Sequence, residues 1–168
     1  RGGGILDTVR KTRAASKDDL VKSMLARLSL LLKRGVTTCE VKSGYGLSWE
    51  DEIKILEAIA EASLLQPVDL VSTCLAAHVR PPEFESNTSY LKSIISDVLP
   101  LIRDRKLSNR IDIFVEQGAF TVEEGREYLL KAKELGFTLC VHADQFSCGG
   151  SALAAETGAV SADHLEVS

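Results

Sequence analysis

The stretch TVEEGREYLLKAKELGFTLCVHADQ, residues 121–145, decides the fold class. Thr121 and Glu124 stand three apart, the spacing at which a hydroxyl and a carboxylate cap each other's backbone amides at a helix start. The helix they predict runs to Leu135, and Gly136 supplies the residue type that ends helices. Phe137 to Val141 then read as an apolar strand. That strand leads straight into His142, Asp144 and Gln145. A capped helix, a tight break, a buried strand and a polar strand end are the parts of a βα repeat built on a parallel sheet.

The same order recurs on both sides. Ser16, with Asp18 and Asp19 behind it, opens a helix that closes at Lys33-Arg34-Gly35, and strand-like Val36 to Val41 follows. Ser48-Trp49-Glu50-Asp51 opens another, with an expected apolar stripe of Trp49, Ile53, Leu56, Ala60 and Leu64. Pro67 ends it, and Val68 to Ala76 reads as the second strand. Pro81-Pro82 and Asn87 mark a longer loop, and Tyr90 to Ile102 reads as helix, with Pro100 expected to disturb its last turn. Ile111 to Val115 gives the third strand. Beyond the fourth, a short helix over residues 151–156 ends at Gly158, and Ala159 to Ala162 begin a fifth strand. By pattern alone, an open doubly wound sheet and part of a (β/α)8 barrel both fit.

Composition narrows the function. Of 168 residues, 45% are hydrophobic and 26% charged, the profile of one soluble globular unit. No apolar run approaches the roughly 18 residues of a membrane span. Lys and Arg number 20 against 24 acids, a net charge of −4, so the basic excess of a nucleic-acid binder is missing. The four cysteines, Cys39, Cys74, Cys140 and Cys148, form no Cys-x-x-Cys pair, and three of them lie in strand-like runs. Those three read as small buried thiols of a reducing cytoplasm. The chain opens Arg-Gly-Gly-Gly without Met and closes at residues 164–168 just after an apolar run, which reads as the middle of a longer protein.

Working groups of parallel α/β folds sit at the carboxyl ends of the strands. Here the first strand leads to Lys42 and Tyr45, the second to His78, and the third to Glu116 and Gln117. The fourth leads to His142, Asp144 and Gln145, the fifth to Asp163 and His164. All three histidines of the chain thus fall at strand ends, which points to a shared rim. Lys42 and Glu116 also read as members of rim salt bridges. Gly149-Gly150 reads as a tight turn rather than as an anion cradle.

The rim motifs VKSGYGL (41–47), AAH (76–78), VHADQ (141–145) and SADHLE (161–166), together with RGGGI (1–5), resemble the imidazolonepropionase family. That family belongs to the metal-dependent amidohydrolases. The resemblance implies an α/β fold: part of a (β/α)8 TIM-like barrel, about strands two to six with their helices. Residues 1–168 would then be the central part of the catalytic domain, without the first and last barrel strands. It implies hydrolysis of 4-imidazolone-5-propanoate to N-formimidoyl-L-glutamate in histidine degradation, with one Zn or Fe ion per site. By motif match, His142 is the expected metal ligand and His164 the expected proton relay. Tyr45, His78 and Gln145 are expected to touch the substrate. Gln145 cannot ionise, so it can orient substrate but cannot act as a base. The His-x-His pair of the family's first strand and the Asp of its eighth are missing from these 168 residues. The family's arginine for the substrate carboxylate would precede Arg1, with Arg13 as a stand-in. The family also implies a homodimer when full length, and no nucleic-acid or membrane partner. The other readings are a further cyclic amidohydrolase or deaminase, or an inactive piece that serves only as a folding or interaction module. The 168 residues alone are expected to be inactive.

Overall fold

Each expected strand forms close to its expected ends, in a computed structural model that describes residues 4–168. Residues 1–3 of the RGGGI motif lie outside the described residues. The strands are β1 (Thr38–Lys42), β2 (Asp69–Ala77), β3 (Arg110–Phe114), β4 (Thr138–Ala143) and β5 (Ser161–His164). All neighbouring pairs are parallel and the spatial order is β1-β2-β3-β4-β5, so every connection steps to the adjacent strand. Among the described residues the switch-back of a doubly wound sheet is therefore absent, and the sheet curls into part of a (β/α)8-type barrel.

The helices are α1 (Ile5–Ala14), α2 (Lys17–Lys33), α3 (Trp49–Leu64), α4 (Asn87–Ser93), α5 (Leu99–Asp104), α6 (Val122–Glu134) and α7 (Gly150–Thr157). The caps of α2, α3 and α6 are the ones the sequence announces. Ser16 accepts from the Asp19 amide at 3.1 Å and Ser48 from the Asp51 amide at 3.2 Å. Thr121 accepts from the Glu124 amide at 3.1 Å while Glu124 accepts from the Thr121 amide at 2.9 Å. α1 was not expected, because its polar sequence buries only Val9.

Three readings are corrected. Asn87 does not sit in a loop: Ser86 caps the Ser89 amide, and Asn87 is the first residue of α4. Pro100 leaves the following turn intact to Asp104, and the disturbance lies upstream as a π-helical turn over Ile94–Val98. With no N–H at position 100, the carbonyl four residues earlier has no helical donor, and the Leu99 amide reaches back to Ile94 instead. The stripe expected on α3 is also wrong at three positions. Trp49 and Leu64 are 53% and 86% exposed and Ala60 is exposed, whereas Glu52, Ile55, Ala58, Ile59 and Ala62 are buried beside Ile53 and Leu56. The helix packs on two sides, against the sheet and against Val21 of α2, so no single 3.6-residue stripe describes it.

Alternation along the strands separates two faces. Ile111, Ile113, Leu139 and Val141 join Leu56, Ile59, Leu99, Ile102, Leu129 and Leu153 in the core between sheet and helices. Each fully buried Leu or Ile there contributes roughly 1.5–3 kcal/mol, more than a cap does. The opposite, concave face carries Lys42, Asp112, His142 and Asp163.

Candidate active site

Register brings the concave residues together. Asp112 of β3 pairs with Cys140 of β4, Phe114 with His142, and His142 with Asp163 of β5. Lys42 reaches in from β1: its Nζ lies 2.6 Å from Asp112 Oδ2, 2.6 Å from Asp163 Oδ2 and 3.4 Å from Glu40 Oε2. The rim salt bridge expected of Lys42 is thus present. Burial works against its charge, but the carboxylates outweigh it and hold the ammonium pKa above its usual value. Burial likewise works against the charge of Asp112, which is fully buried, yet His142 and Lys42 hold its carboxyl below the usual range. His142 Nδ1 lies 2.9 Å from Asp112 Oδ2, in ion-pairing range but not aligned as a hydrogen bond.

Above this charged floor stand the rings. Tyr45 meets His78 edge-on at 5.1 Å between centroids, and His78 lies 5.8 Å from Phe114 and 6.3 Å from His142. His142 continues to His164 at 5.3 Å. Four of the five residues singled out in the sequence therefore form one continuous ring cluster. Gln145, two residues past the end of β4, is half-buried, and among the described residues no hydrogen bond ties it to that cluster. His164 is the exposed end of the row, with Nδ1 3.3 Å from Glu166 Oε1.

Other rim candidates turn out to hold loops. Glu116 makes no salt bridge among the described residues, contrary to that reading. Its carboxylate accepts from the amides of Gln117 at 2.7 Å, Phe146 at 2.8 Å and Ser147 at 3.2 Å, and from the Ser147 hydroxyl. Burial opposes its charge, but these donors bring the pKa down to about 2. Asp144 caps α7, accepting from the Gly150 amide at 2.8 Å, the Ser151 amide at 3.3 Å and the Ser151 hydroxyl. Gly149, at φ +126°, makes the turn that allows this, so Gly149-Gly150 is a tight turn whose amides face the protein's own carboxylate. Arg13 is held by the Gly46 carbonyl at 2.7 Å and Glu83 at 2.8 Å. Gln117 is exposed.

Two buried acids were missed. Asp112 had a signal, an acid inside the apolar run Ile111-Asp112-Ile113 of a strand. Glu52 had a weaker one, since acids in a first helical turn are ordinary; its side chain instead binds the amides of the Gly44–Leu47 loop.

Asp112, His142 and Asp163 bring one ligand atom each within 4.8 Å of one another, a donor set of the type a divalent metal takes. The arrangement fits only in part. Lys42 already stands between the two carboxylates, and a second cation there would be repelled. A metal would accordingly find the imidazole of His142 as its protein ligand here, with Lys42 neutralising the acids beneath it.

A parallel βα sheet whose strand ends gather imidazoles, a phenol and an acid–lysine–imidazole cluster defines part of a (β/α)8-type barrel with a polar site at the carboxyl ends of its strands. No family model matches the chain. Curated relatives do. The chain is 48% identical over 166 residues to the imidazolonepropionase of Bdellovibrio bacteriovorus, 49% over 166 to that of Bacillus cytotoxicus, and 50% over 167 to that of Streptococcus pyogenes. Each match takes in 98% of this chain but only 38%, 39% and 40% of the relative. The chain is thus a homologue of the imidazolonepropionases and spans about two fifths of their length.

Proposed function

We propose that residues 1–168 are the central part of a metal-dependent imidazolonepropionase domain, corresponding to barrel strands two to six. The proposed reaction is hydrolysis of the cyclic amide of 4-imidazolone-5-propanoate to N-formimidoyl-L-glutamate, in histidine degradation. The observation that carries this reading is the identity of about half over 98% of the chain, which takes in the whole ring cluster. It favours this substrate over those of other cyclic amidohydrolases and deaminases.

Water adds across the ring amide: its oxygen bonds to the carbonyl carbon, the C–N bond breaks, and a proton moves to the leaving nitrogen. A bound Zn or Fe ion would polarise the carbonyl and make water acidic enough to attack near neutral pH. His142 would hold that ion. Tyr45 and His78 would bind the ring, and Gln145 would orient it without taking a proton. His164, exposed at the end of the row, would carry the proton from water to the leaving nitrogen. The full-length protein is proposed to be a cytoplasmic homodimer. No described helix is long and apolar enough to cross a membrane.

The test is loss of imidazolone absorbance with the full-length protein, together with elemental analysis of its metal. His142→Ala should lose bound metal and activity together, since one of about four ligands is gone. An active, fully metallated variant would overturn the assignment.

A further inference from the structure

The loop between β1 and α3 carries Tyr45 in a backbone that needs support. Gly44 lies at φ +103°, and Leu47, whose side chain is buried, at φ +54°. A Cβ on Gly44 would stand 2.8 Å from the Leu75 carbonyl oxygen, and one on Gly46 would stand 2.6 Å from the Glu52 nitrogen. The loop is therefore packed backbone against backbone. Inside it sits Glu52, 1% exposed. Its Oε2 accepts from the Gly44 amide at 2.9 Å, and its Oε1 from the amides of Gly46 at 2.7 Å and Leu47 at 2.9 Å. Among the described residues no cation pairs with it. A turn alone does not require a buried, cation-free carboxylate, because neutral side chains cap turns at less desolvation cost.

The consequence appears on the carbonyl side of Gly44, whose oxygen lies 2.9 Å from His78 Nδ1. A carbonyl can only accept, so Nδ1 bears the proton. His78 is 8% exposed, and burying an imidazolium without a carboxylate partner is costly, which favours the neutral ring. A neutral ring with its proton on Nδ1 offers Nε2 as a bare acceptor.

We infer that Glu52 is a positioning residue: by gathering the loop amides it aims the Gly44 carbonyl at His78, and so fixes Nε2 as an acceptor for an N–H or O–H donor of the bound ligand. The ligand class is a ring that presents such a donor beside its carbonyl, as a cyclic amide does. This rests on the reading of His78 as a substrate contact.

The experiment is nitrogen-15 NMR of histidine-labelled full-length protein, with the His78 signals assigned by their loss in His78→Asn, followed by kinetics of Glu52→Gln. Wild-type His78 should show the Nδ1–H tautomer at pH 7. Glu52→Gln should mix the tautomers and raise KM about 5-fold while kcat stays within about 2-fold. Nε2–H in the wild type overturns the inference whether or not the variant folds. So does a Glu52→Gln protein with an unchanged tautomer and KM, or one in which kcat alone falls, as general loosening would give. Absence of imidazolone turnover in the wild type would count against the proposed reaction, while the tautomer still decides the role of Glu52.

Discussion

Lys42 meets two carboxylates at 2.6 Å each, and one of them, Asp112, has no exposed surface. Removing one partner of a buried pair is far more damaging than replacing both, because a charge is stranded. Asp112→Asn should therefore destabilise the protein by on the order of 3 kcal/mol, read as a lower urea midpoint at unchanged slope. An effect below about 1 kcal/mol would mean that Asp163 and Glu40 suffice for Lys42. Tyr45 is a different case, since its ring rests on His78 and its hydroxyl is the group available to a ligand. Tyr45→Phe should lower kcat/KM by roughly 2- to 10-fold, one hydrogen bond's worth, with metal content unchanged. Unchanged kinetics would reduce Tyr45 to a packing residue.

The elements that matter at the next scale are the loops after β1, β3 and β4, which buried acids tie down. Glu52 holds the loop after β1, Glu116 links the loops after β3 and β4, and Asp144 holds the start of α7. Glu116 has a carboxyl pKa of about 2 against an ordinary 4.5. A depressed pKa contributes stability that is fully present above the ordinary value and is lost as pH falls through the folded one. Stability should thus decline between about pH 4.5 and pH 2, and Glu116→Gln should flatten that decline. Denaturant midpoints measured across this range, wild type against variant, check it; parallel curves would show that other acids dominate.

At the scale of the molecule, β1 and β5 are the ends of the sheet. Exposed strand edges template pairing with other chains. Around the β5 end, Val160, Leu165 and Val167 are also 59%, 40% and 41% exposed. Residues 1–168 made alone should therefore self-associate in sedimentation and show no imidazolone turnover with Zn²⁺ or Fe²⁺ supplied. Turnover comparable to a full-length relative would mean that the residues supplying the chemistry all lie within this stretch.

The sequence by itself determined the alternation of helices and strands, the caps at Ser16, Ser48 and Thr121, and the placing of three histidines at strand ends. These are local matters, settled by side chains within a turn of the backbone they serve, or by the period of two along a strand. It also carried the family likeness, because Tyr45, His78, His142 and His164 sit in short contiguous motifs. What the tertiary structure alone decided depends on groups far apart in the chain. Lys42 and Asp163 are 121 residues apart and meet only because β1 and β5 curl around one concave face. Asp112 reads as an odd acid in an apolar strand until that face gives it Lys42 and His142. Glu52 reads as an ordinary first-turn acid until α3 packs over the Gly44–Leu47 loop and turns it inward. Charge on a buried carboxylate is tolerated only where partners converge on it, and convergence is a property of the fold rather than of any stretch of sequence.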